Sequence, residues 1–106
     1  MYKSMETFEQ FKNKKICITA NDAGGAEILK YFTYKIDAKF SYYLTGPAKK
    51  IFKKKNSLSN YKKIIDKCDI VITGTSYKSF TEFNCIKYCK LKNKKVFSII
   101  DHWINY

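Results

Sequence analysis

Lys15-Ile16-Cys17-Ile18-Thr19-Ala20-Asn21-Asp22-Ala23-Gly24-Gly25-Ala26-Glu27 decides the reading of this chain. Residues 16–20 are apolar with almost no alternation, as in a strand covered on both faces. Asn21 and Asp22 are residue types that cap helix starts, and Gly24 and Gly25 permit a tight turn. A helix is predicted from about Ala26 to Tyr34, with Ile28, Leu29, Phe32 and Ile36 on its core side. A helix opening right after a strand offers unpaired N–H groups that attract phosphate or carboxylate. The stretch therefore reads as a ligand loop at the mouth of an α/β sheet. The alternative is an ordinary strand-to-helix turn, because the full G-x-G-x-x-G spacing is absent.

The same grammar recurs outward from that stretch. Asp69-Ile70-Val71-Ile72-Thr73 is the cleanest strand and runs into Gly74-Thr75-Ser76, followed by a helix over about 79–91. Lys39 to Thr45 reads as a strand stopped by Gly46-Pro47, with Pro47 suited to opening the next helix, over 48–54. A further helical turn or two is expected at 61–67. Lys95 to Ile100 is the last strand, running into Asp101-His102-Trp103-Ile104-Asn105-Tyr106. Residues 6–14 carry only a weak helical signal. Strands alternating with helices imply parallel pairing. The expected fold is α/β, a three-layer αβα Rossmann-like domain with about four parallel strands and residues 1–106 as one domain. Placing the first strand between the second and third puts a topological switch point between the 21–25 and 74–76 loops. Open α/β sheets bind ligands at such points.

The candidate ligand-binding residues are those that the strand ends gather: Asn21, Asp22, Gly24, Gly25, Gly74, Thr75, Ser76 and Asp101. Small residues there admit a ligand, while N–H and hydroxyl groups bind oxygens of sugar or phosphate. His102, the sole histidine, is the candidate general base, with a structural capping role as its alternative. Ser76 lacks a G-x-S-x-G setting, which argues against a serine hydrolase. Glu82, one turn into its helix, is read as a helix-dipole residue, with reach into the site as the alternative.

Composition sets the outer limits. The chain has 106 residues, 45% of them hydrophobic, and no apolar run long enough for a membrane span. The net charge is +12, with every positive side chain a lysine. Without arginine, the usual reader of guanine and phosphate, a nucleic-acid partner is disfavoured. The lysine runs read as a solvated face, with peripheral contact to an anionic membrane as the lesser alternative. Cys17, Cys68, Cys85 and Cys89 form no C-x-x-C and read as reduced, metal-free thiols of a cytoplasmic protein. No metal or other cofactor is expected.

The combination of residues 21–26, residues 73–77 and the Asp-His-Trp-Ile-Asn-Tyr ending resembles the amino-terminal Rossmann-like half of bacterial polysaccharide-biosynthesis proteins of GT-B glycosyltransferase architecture. The resemblance implies a sugar or nucleotide-sugar type ligand. The amino-terminal domain of that architecture mainly receives the acceptor, and a carboxyl-terminal domain holds the donor. The expectation is an acceptor- or sugar-binding domain that is not a complete glycosyltransferase alone. Its partner would be a missing carboxyl-terminal domain or a second copy, meeting an apolar patch at Trp103, Ile104 and Tyr106. Two alternatives stand beside it: a small nucleotide- or phosphate-binding α/β module, and a lysine-rich interaction protein for nucleic acid or anionic membrane.

Overall fold

The computed structural model describes residues 9–54, 56, 60–74, 80–99 and 103–105, with the backbone alone at 80, 99 and 103–105. Four strands are parallel: β1 (Lys15–Ala20), β2 (Lys39–Leu44), β3 (Ile70–Thr73) and β4 (Lys95–Ile99). The helices between them are α1 (Ala23–Lys35), α2 (Ala48–Phe52), α3 (Tyr61–Asp66) and α4 (Phe80–Leu91). A three-residue strand, β5 (Trp103–Asn105), adds antiparallel to β4, giving the order β2-β1-β3-β4-β5. The expected α/β fold is thus present, with β1 between β2 and β3. β5 is the addition: the open ladder of β4 accepts the chain as it turns back, an arrangement common at the rim of parallel sheets.

Alternation along the strands divides the interior into two cores. Ile16, Ile18 and Ala20 of β1, Ile70 and Ile72 of β3 and Phe97 of β4 pack with Leu29 and Phe32 of α1 and with Ala48 and Phe52 of α2. Phe11 closes one end of this core, edge-on to Phe32 and Phe97 at 5.3 and 5.1 Å between ring centres. Cys17, Val71 and Val96 point the other way, onto Ile64 and Ile65 of α3 and Cys85 and Cys89 of α4. Each such large side chain taken from water contributes about 1.5–3 kcal/mol.

Two sequence expectations shift. α1 begins at Ala23, so Gly24 and Gly25 lie inside its first turn and do not form the turn that precedes it. Ile28 is exposed, because the helix buries the Ala26, Leu29 and Phe32 stripe. On α4, apolar nearly all round, Phe83 and Leu91 are exposed while Cys85 and Cys89 face the sheet. The described lysines of the clusters, apart from Lys94, lie exposed on the surface. Among the described residues no helix is long and apolar enough to cross a membrane.

All four cysteines are free and buried in the second core. Burial pushes the Cys85 and Cys89 thiols up, to about 11 and about 12. Cys68 is held lower, first by its hydrogen bond with Cys17. A thiol must ionise to react. Native protein at pH 7.5 is therefore expected to resist iodoacetamide, with Cys68 alkylated first and all four reacting in urea; peptide mass spectrometry reads the order.

Candidate functional site

β1 and β3 end side by side, and each is followed by the start of a helix. Gly74 donates its N–H to Thr19 O at 3.0 Å, so the ladder continues to the mouth of the sheet. There Gly25 of α1 and Gly74 abut. A Cβ built on either would stand 3.5–3.6 Å from the Cα of the other. The ends of β1 and β3 are thus joined by a pair of glycines, where a Cβ on either would rest in ordinary contact with the other's Cα.

Two carboxyl groups flank this contact. Asp22 caps α1: its Oδ2 accepts from Gly25 N at 3.2 Å, and Ala26 N donates to its carbonyl at 3.1 Å. Its other oxygen, Oδ1, is buried without a hydrogen-bond partner among the described residues. Beside Gly74, Glu82 Oε2 accepts from Asn21 N at 3.2 Å, and its Oε1 is likewise buried and without a partner among the described residues. A Cβ on Gly74 would meet Glu82 Oε2 at 2.9 Å, and one on Gly25 would meet Asp22 Oδ1 at 3.0 Å. Glu82 is 2% exposed. Burial raises its carboxyl to about 7; the Asn21 N–H opposes the rise and the Asp22 charge adds to it. An ionised group buried with one hydrogen bond is costly, so the proton is retained toward neutrality.

Asn21 holds the mouth together. Its side-chain amide donates to Thr45 Oγ1 at 2.7 Å, and Thr45 Oγ1 donates to Thr81 Oγ1 at 3.1 Å, tying the ends of β1 and β2 to α4. Asn21 O accepts from Ala48 N at 2.9 Å. Gly46 has a φ of +54°, and a Cβ there would come within 2.8 Å of Asn21 Nδ2. Gly46→Ala is expected to lose about 1–2 kcal/mol from the left-handed backbone alone, read as a lowered urea midpoint.

Of the sequence candidates, the structure brings together Asn21, Asp22, Gly25 and Gly74. Gly24 is exposed on the first turn of α1, where a Cβ would meet Asp22 Oδ2 at an ordinary 3.5 Å. Thr75, Ser76, Asp101 and His102 lie outside the described residues. The group that sequence reasoning undervalued is Glu82. It does sit in the first turn of α4, as a dipole residue would, but it is buried. The available signal was its place, one turn into the helix that follows the second glycine turn. Among the described residues no cluster of three or more histidine, cysteine, aspartate or glutamate side chains is arranged to hold a metal ion.

Comparison with family models, with curated proteins and with solved structures gives no match.

Proposed function

We propose that this chain is an acceptor- or sugar-binding Rossmann-like domain acting in surface-polysaccharide assembly, with its ligand in the crevice between the ends of β1 and β3. One observation carries the reading. Among the described residues, two buried carboxyl oxygens, Asp22 Oδ1 and Glu82 Oε1, lack partners beside a glycine contact at the switch point of a parallel sheet. Buried polar atoms are nearly always paired, and each one left over calls for a partner such as a water, an ion or a ligand. Sugar hydroxyls complete carboxylates well, since each can donate one hydrogen bond and accept others. The resemblance of residues 21–26 and 73–77 to the amino-terminal half of GT-B glycosyltransferases supplies the biological setting. The role assigned is binding.

Titration calorimetry against a panel of saccharides, nucleotide sugars, sugar phosphates and free nucleotides tests the reading. At least one sugar-bearing compound is expected to bind in the millimolar range or tighter. A chain that binds none of them, or only nucleotides without sugar, contradicts it.

A further inference from the structure

The sequence suggests a phosphate site at the start of α1, and the structure points elsewhere. The Gly25 N–H that a phosphate would use already donates to Asp22 Oδ2, and the Ala26 N–H to Asp22 O. The carboxylate of Asp22 therefore occupies the anion position that the helix dipole creates. Beside Gly74 stands a second acid, Glu82, 2% exposed and with Oε1 unpartnered among the described residues. Among the described residues, the charged side chain acting on Glu82 is another acid, Asp22.

We infer that the crevice takes an uncharged, hydroxyl-bearing face of its ligand between Asp22 and Glu82, and turns away phosphate. The inference rests on the sugar-binding reading and narrows it. A phosphate at neutral pH carries acceptor oxygens and negative charge. Any P–O–H it retains can donate to Asp22 Oδ1, but its negative charge is repelled by two carboxyl groups held out of bulk water. A sugar hydroxyl donates to Asp22 Oδ1. A second hydroxyl accepts from Glu82 while that carboxyl holds its proton, and donates to it once the proton is lost. Recognition therefore survives titration of Glu82, whereas rejection of anions sharpens as the pH rises past about 7. A bare divalent cation is a poorer occupant, because calcium and magnesium seek about six or more oxygens and two carboxyl groups supply few.

The test is a calorimetric comparison of glucose, galactose, N-acetylglucosamine and lactose with glucose 1-phosphate, galactose 1-phosphate, inorganic phosphate and magnesium chloride. A free sugar is expected to bind at least roughly ten-fold more tightly than its 1-phosphate, the scale of one charge-assisted hydrogen bond. Inorganic phosphate and magnesium are expected to give no heat of binding. Asp22→Asn keeps the helix cap, since asparagine caps as well as aspartate, but removes the charge. It is expected to narrow the sugar-to-phosphate ratio by about ten-fold with an unchanged melting temperature. Equal or tighter binding of the 1-phosphate overturns the inference and leaves the sugar reading standing, as does a ratio unmoved by Asp22→Asn. Magnesium binding that displaces the sugar also overturns it. Absence of binding by every sugar and sugar phosphate overturns the reading itself.

Discussion

Replacing Glu82 by glutamine is expected to raise stability at pH 7.5 by roughly 3 kcal/mol and to flatten its dependence on pH. The wild-type carboxyl releases its proton near 4.5 when unfolded and near 7 when folded. Below 4.5 both states are protonated and burial carries no charge penalty. As the pH rises from 4.5 to about 7 the unfolded chain ionises first, so stability falls steadily across that window. Above about 7 both states are ionised and the loss is complete and constant. The span between the two values, at about 1.4 kcal/mol per pH unit, sets the size of the effect. Glutamine keeps an acceptor for the Asn21 N–H and has no charge to bury. Urea midpoints measured from pH 4 to 8 for both proteins check this. Parallel curves for the two would show that Glu82 titrates in the fold as it does in the open chain.

Gly25→Val is expected to lower stability by about 1–3 kcal/mol, the cost of forcing extra carbons into a packed contact. The backbone alone does not forbid a side chain, because Gly25 sits in the first turn of α1 and not at a positive φ. The obstruction is spatial. The Cβ would stand 3.0 Å from Asp22 Oδ1 and 3.5 Å from Gly74 Cα, and the two γ-carbons add to that crowding. The valine disturbs the cap of α1, its contact with Gly74 and the proposed ligand crevice together. A melting temperature lower by several degrees and lost sugar binding are expected together. An unchanged melting temperature would mean that the Gly25–Gly74 contact opens at little cost.

Much of this was legible in the sequence because strand and helix periods alternate cleanly. The apolar runs of β1 and β3 fixed a sheet buried on both faces, and Asp22 announced a helix cap. The start of α1 was set three residues late because glycines read as a turn, whereas a good cap draws Gly24 and Gly25 into the helix. Ile28 was misplaced because it neighbours Leu29 in sequence but lies about 100° round the helix from the buried Ala26, Leu29 and Phe32 stripe. β5 escaped notice because Trp103-Ile104-Asn105 is too short to show a period, and its pairing depends on the free edge of β4. Glu82 was undervalued for a different reason. An acid in a first helical turn is ordinarily solvated, and only tertiary packing against Asn21 and Gly74 reveals that this one is enclosed.

A titration of ¹⁵N-labelled protein with the saccharide panel, followed by amide chemical shifts, tests the central claim most directly. The backbone N–H groups of Asn21, Gly25 and Gly74 donate to Glu82 Oε2, Asp22 Oδ2 and Thr19 O, so each reports on the crevice without substitution. Saturable shifts concentrated on these three amides, with a common dissociation constant, are the expected result. Saturable shifts centred elsewhere on the surface, or none on these amides at high sugar concentration, would contradict the placement of a sugar between Asp22 and Glu82.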